Sequence, residues 1–167
     1  MVPHPTAQLL PVLRFSPILF MRALVQRVTK ASVSVAGEIT GQIGTGLLVL
    51  LGVGQSDNDA CAAKLAHKVS HLRVFKDAAG KMNLSLLDVK GEMLVVSQFT
   101  LYAETSKGNR PSFTAAAKPD AAFAMYEAFV GYCQSLGVPV STGVFQADMQ
   151  VSLVNDGPVT LICEVDR

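Results

Sequence analysis

From Met21 onward the chain alternates between runs of apolar positions with period 2 and runs with period 3.6. Ala23 to Val28 reads as a first strand, and Val33 and Val35 alternate with Ser32 and Ser34 before a turn at Ala36-Gly37-Glu38. Gly46 to Val53 is a continuous apolar run, the pattern of a strand buried on both faces. Ser56, with Asp59 three residues on, offers a helix cap. Cys61, Leu65, Val69 and Leu72 then recur at helical spacing, predicting an amphipathic helix to about Phe75. Turns around Asp77–Gly80 and Lys90-Gly91 flank a short segment near Leu84–Leu87. Glu92 to Tyr102 is a strong strand running into a polar stretch, Ala103–Lys118.

Pro119 and Asp120 suit the first turn of a second helix. Its expected apolar stripe is Phe123, Tyr126, Val130 and Cys133, with Gly137 as the stop. Met149, Val151 and Leu153 alternate along one strand; Val159, Leu161, Cys163 and Val165 alternate along another. Asn155-Asp156-Gly157-Pro158 lies between them and reads as a hairpin loop. Many strands and two main helices on one chain predict an α+β fold with mainly antiparallel, barrel-like β-sheets.

Composition narrows the class. The 167 residues suffice for about one domain, and with 50% hydrophobic and 16% charged residues the chain is not intrinsically disordered. So much apolar surface favours an oligomer. A formal net charge of +1 lacks the strongly basic footprint of a duplex-coating protein, though a local basic patch is still allowed. Cys61, Cys133 and Cys163 are too far apart for a CxxC motif, so neither a disulfide framework nor a structural zinc site is expected. No apolar run approaches the ~18–20 residues of a membrane helix, and a reducing, cytoplasmic setting fits. Residues 1–20 hold four prolines and no period. They read as an N-terminal extension, disordered or preceding the true start, with one domain over 21–167.

Several familiar chemistries fail. Gly52-Val53-Gly54 lies between a strand and a helix, but Asp57 stands where a dinucleotide loop needs its third glycine. His67 and His71 are four apart on the solvated helix face with no third ligand placed for them, which makes them surface histidines and leaves no metal site. No histidine is placed to serve as a hydrolytic base. Two segments remain: Ser97-Gln98-Phe99-Thr100, a cluster of hydroxyl and amide groups at a strand end, and the Asn155–Pro158 loop.

With these segments the chain closely resembles the D-aminoacyl-tRNA deacylases. The likeness runs through MRALVQRV from Met21, GLLVLLGV, KMNLSL from Lys81, SQFTLYA from Ser97, KGNRPSF from Lys107 and NDGPVT from Asn155 to Thr160. It covers Met21 to Arg167 in family order and spacing. The resemblance implies that fold, and an enzyme that hydrolyses the ester between a D-amino acid and tRNA and also clears glycine mischarged on tRNA for alanine. It further implies a homodimer with active sites at the subunit interface and no metal or organic cofactor.

Carried over, Gly157 and Pro158 form a cis Gly-Pro wall reaching into the other subunit's pocket, and Arg27 supports that loop from the partner subunit. Ser97, Gln98, Phe99 and Thr100 form the catalytic side, with backbone N–H groups near Gln98 and Phe99 meeting the ester carbonyl. Thr100 is a candidate nucleophile. Without a base to deprotonate it, a mechanism using the tRNA 2′-OH and a bound water is preferred. Met149 lines the pocket, and Lys107 and Arg110 contact tRNA phosphates.

One departure is Gln146, where the family carries glycine in the stretch before Ala147; if the position needs a positive φ, the local turn must differ. Two rivals stand beside this reading. One is an editing deacylase for an L-aminoacyl-tRNA on the same scaffold, like the archaeal threonyl-tRNA synthetase editing domain, with a trans Gly157–Pro158 bond as its sign. The other is a non-catalytic tRNA-binding module.

Overall fold

A computed structural model describes residues 20–166. The expected N-terminal extension therefore falls, apart from Phe20, outside the described residues. Eight strands and two helices follow in the order β1 (Met21–Val35), β2 (Glu38–Ile43), β3 (Gly46–Gly52), α1 (Asp59–Ser70), β4 (Phe75–Lys76), β5 (Met82–Leu84), β6 (Glu92–Ser97), α2 (Pro119–Ser135), β7 (Val140–Thr142) and β8 (Gln150–Val165). A single 3-10 turn, Phe99–Tyr102, follows β6.

The main sheet runs β2-β1-β3-β6-β7, with β8 on the other edge of β1. Strand β1 pairs antiparallel with β2, β3 and β8, whereas β3–β6 and β6–β7 are parallel. The sheet is thus mixed, for a simple reason. Parallel neighbours need a crossover, and α1 and α2 are the crossovers between β3 and β6 and between β6 and β7. Ser141 Oγ of β7 donates to the Gln42 carbonyl of β2 at 3.2 Å, which brings the two ends together into a nearly closed barrel.

Each face of the sheet has its own core. Met21, Ala23, Val25, Leu47, Val49, Leu51, Met93 and Val95 pack against Cys61, Leu65 and Val69 of α1 and Tyr126, Phe129 and Cys133 of α2. Leu48, Leu94 and Val96 point the other way and fill the barrel with Val28, Ala31, Val33 and Ile43. This two-sided burial explains the unbroken apolar runs of β3 and β6. Strand β1 passes from one core to the other. Its register against β8 slips between Val28 and Lys30, so Val28 and then the odd-numbered Ala31 and Val33 all reach the barrel interior.

Several local expectations change. The two predicted strands at 23–28 and 33–35 are one strand. Helix α1 is capped by Asn58, whose side chain accepts from the Cys61 N–H at 3.1 Å, and it ends at Ser70, leaving Phe75 to β4. On α2 the buried stripe includes Phe129, while Phe123 is 41% exposed. The segment 155–158 is not a hairpin loop. Asn155 itself pairs with Val28 and Thr160 with Gln26, both antiparallel to β1, so residues 156–159 bulge from one strand opposite Arg27.

Candidate active site

The carboxyl end of β6 delivers Ser97 to a cavity of about 640 Å3. Val96, Ser97, Gln98 and Phe99 form one side; Phe145, Gln146, Ala147, Asp148, Met149 and Val151 form another; Phe113, Ala116, Ala117, Pro119 and Ala122 complete the lining. The walls are mainly apolar with a few polar groups, the usual make-up of a small-ligand site. Phe99 meets Phe113 edge-on with centroids 5.1 Å apart, and Phe123 meets Phe145 at the same separation. Among the described residues no group of three or more His, Cys, Asp or Glu side chains could hold a metal ion.

Backbone donors at this wall are unevenly committed. The Gln98 N–H, expected to face the ester carbonyl, donates instead to the Leu51 carbonyl at 2.8 Å. Within the 3-10 turn the first donor is Leu101 N–H, to the Gln98 carbonyl at 3.3 Å. The N–H groups of Phe99 and Thr100 precede it and have no acceptor inside the turn. Thr100 is exposed and does not line the cavity; its Oγ1 accepts a hydrogen bond from Nε2 of Gln98. Aligned that way, the hydroxyl has a donor at its oxygen and no base to take its proton.

Met149 serves two purposes. It lines the cavity and also packs on the barrel core, and its sulfur lies so near Gly143 that a Cβ there would come within 2.6 Å of it. Gln146 holds φ at +63°, so the turn keeps a left-handed backbone despite carrying a side chain. Tyr126, beneath Phe145, donates its hydroxyl to the Val95 carbonyl at 2.8 Å, and burial pushes its phenol up to about 12.

The remaining predicted residues lie elsewhere in the chain. Gly157 and Pro158 are exposed on the β8 bulge, joined by a cis peptide bond, and neither lines the cavity. Arg27 is 4% exposed, not a solvated strand arginine. Its Nε lies 3.2 Å from both the carbonyl oxygen and Oδ2 of Asp156, and Nη1 donates to the Val74 carbonyl. Within the single chain, Arg27 thus already holds the segment that carries Gly157 and Pro158. Lys107 and Arg110 are exposed on the 103–118 loop, outside the lining that Phe113 and Ala116 of that loop provide.

Sequence reasoning missed Phe113 and Phe145, whose isolated positions carry no period. The Gly52/Gly54 pair has a structural cause: a Cβ at either would come within 3.0 Å of Tyr102.

Residues 24–164 match the family model described as D-Tyr-tRNA(Tyr) deacylase. A D-aminoacyl-tRNA deacylase of Geotalea uraniireducens (strain Rf4) is 58% identical over 147 residues, covering 88% of this chain and 95% of that protein. One of Thermosipho africanus (strain TCF52B) is 56% identical over 144 residues, covering 86% and 97%. Among solved structures, the "c-Myc DNA Unwinding Element Binding Protein" superposes with a TM-score of 0.84 at 41% identity, covering 88% of this chain and all of that one. A probable eukaryotic D-amino acid tRNA deacylase superposes with a TM-score of 0.79 at 16% identity over the same shares, a likeness of fold.

Proposed function

The chain belongs to the D-Tyr-tRNA(Tyr) deacylase family, and from that premise we propose how its cavity hydrolyses D-aminoacyl-tRNA and spares the L form. The enzyme cleaves the ester of an aminoacylated tRNA, releasing the amino acid and free tRNA. The observation that carries the mechanism is the pair of N–H groups on Phe99 and Thr100, beside a cavity with no histidine in its lining. They bind the ester carbonyl and the oxyanion that forms on it, as backbone donors at a strand end can. Water attacks with help from the ribose 2′-OH of the tRNA, while Thr100 takes no covalent part.

Chirality is set by a wall that a second copy supplies. Gly157 and Pro158 do not line their own chain's cavity, yet they project from β8, whose outer edge carries no partner strand among the described residues and beside which Val154 and Ile162 are exposed. An unpaired edge with apolar side chains is the kind of surface that pairs with another chain. In the homodimer each bulge enters the other subunit's cavity and turns backbone carbonyls towards the α-carbon of the aminoacyl group. An L side chain meets that wall; a D side chain or glycine does not. About 1.4 kcal/mol of clash gives each tenfold of discrimination, so a few kcal/mol suffice. The same logic admits glycine mischarged on tRNA for alanine. Lys107 and Arg110 hold acceptor-end phosphates at the cavity's exposed side.

The test is hydrolysis of D-Tyr-tRNA, L-Tyr-tRNA and Gly-tRNA by the purified protein with EDTA present. Loss of the D and glycyl esters with the L ester spared is the expected result. Turnover of the L ester favours an L-editing enzyme, and binding without turnover favours a tRNA-binding module.

A further inference from the structure

Arg22, the second residue of β1, grips the back of the 3-10 turn. Its Nη1 donates to the Leu101 carbonyl at 3.0 Å, and its guanidinium carbon stands 4.7 Å from the centroid of the Tyr102 ring. Nε lies 3.2 Å from Oε1 of Glu164 on β8. Leu101 and Tyr102 are the second half of the same four-residue turn whose first half presents the Phe99 and Thr100 N–H groups. Tyr102 is 4% exposed, packed against Gly52 and Gly54, with its hydroxyl bonded to the Phe20 carbonyl and 3.4 Å from Oδ2 of Asp57. The start of the turn is tied to β3 by the Gln98 N–H on Leu51.

We propose that Arg22 is a positioning residue for ester hydrolysis: by holding Leu101 and Tyr102 it fixes the direction in which the Phe99 and Thr100 N–H groups point. A four-residue 3-10 turn has too few internal hydrogen bonds to set its own orientation, so whatever grips it decides where its free donors aim. Arg22 supplies a charge-assisted hydrogen bond and a cation–π contact from one rigid, planar group. Glu164 stands at ion-pair distance on β8, although Nε makes no hydrogen bond to it. The inference rests on the reading of Phe99 and Thr100 as oxyanion donors.

Single-turnover hydrolysis of D-Tyr-tRNA, with enzyme in excess over a range of concentrations, separates aim from folding. A partly unfolded variant reaches the same plateau rate at higher enzyme concentration. A misaimed donor lowers the plateau and leaves the half-saturating concentration alone. For Arg22→Ala the plateau should fall about tenfold to hundredfold, the scale set by misplacing or removing one oxyanion donor.

Arg22→Lys, which keeps the charge but cannot span Leu101 and Glu164 together, should recover part of that loss. Tyr102→Phe keeps the ring face and should stay within about threefold, because the contact with Arg22 is to the ring. A plateau for Arg22→Ala within twofold of the unsubstituted enzyme overturns the inference alone. If Arg22→Ala does not fold, an unchanged plateau for Arg22→Lys does so. Failure of the unsubstituted enzyme to hydrolyse D-Tyr-tRNA overturns the reading of the site and this inference with it.

Discussion

Arg27 and Asp156 are joined twice, the buried guanidinium meeting both the backbone carbonyl and the carboxylate of the same residue at 3.2 Å. This places a nearly inaccessible cation directly beneath the exposed Gly157–Pro158 bulge. A Cβ at Gly157 would come within 2.9 Å of Nη2 of Arg27, and the position has φ +127°, so glycine is required for both space and backbone. Arg27 cannot yield cheaply because its other arm is fixed on Val74.

Replacing Arg27 by alanine leaves the buried Val74 carbonyl without that donor, while Asp156, 52% exposed, recovers water. The expected loss of stability is therefore about 2 kcal/mol, one unsatisfied buried acceptor with some lost packing. The functional effect should exceed it in specificity. With the bulge unsupported, the D-to-L ratio of kcat/KM on matched Tyr-tRNA should fall at least tenfold. Urea unfolding and paired deacylation assays measure the two effects. An unchanged ratio would show that the bulge does not set chirality.

Thr100→Ala should retain appreciable activity, with kcat within about tenfold of the parent, since the substitution removes a hydroxyl and leaves the backbone N–H in place. Its Oγ1 accepts from Gln98 and meets no base, which is the wrong arrangement for an attacking oxygen. Near-total loss of turnover with intact tRNA binding would make Thr100 the nucleophile.

Strands β3 and β6 and both helices were legible because period and burial coincide: each is a long apolar pattern packed on defined faces, whereas the short strands β2 and β7 carry no such pattern and were not predicted. What could not be read were features set by distant partners. The parallel pairs follow from where α1 and α2 cross over, and the bulge at 156–159 follows from its register against β1. At the site, Ser97–Phe99 and Met149 do meet around one cavity. The burial of Arg27 could not be read locally because its partners, Val74 and Asp156, are 47 and 129 residues away in sequence. The commitment of the Gln98 N–H to Leu51 likewise depends on neighbouring strand ends that no local pattern shows.

Burial raises both the Tyr126 phenol and the Cys133 thiol to about 12. The folded state therefore favours the protonated forms, and the unfolded chain loses these protons first as pH rises. Stability from this source is complete below about pH 9 and declines between about pH 9 and 12, by about 1.4 kcal/mol per pH unit for each group within its window. The urea midpoint should hold from pH 7 to 8.5 and drop by pH 11, with Tyr126→Phe reducing the slope. An equal midpoint at pH 8 and pH 11 would contradict the burial of both groups.

Gln146 carries a side chain on a left-handed backbone, φ +63°, at the cavity wall. For an L-residue that conformation costs about 1–2 kcal/mol, whereas glycine adopts it freely. Glycine also loses more chain entropy on folding, about 0.5–1 kcal/mol, which offsets part of the gain. The balance favours Gln146→Gly by about 0.5–1 kcal/mol, or about 1–4 °C in Tm for a domain of this size. The exposed side chain makes no contribution to either core, so nothing is lost in packing. Because the backbone keeps its course, Ala147 to Met149 stay where they line the cavity, and kcat/KM on D-Tyr-tRNA should remain within about threefold. Thermal melts and deacylation rates of the paired proteins check both halves. A lower Tm for the glycine variant would mean that Gln146 is held by contacts that outweigh its backbone strain, and a large fall in kcat/KM at raised Tm would make its carboxamide part of the substrate site.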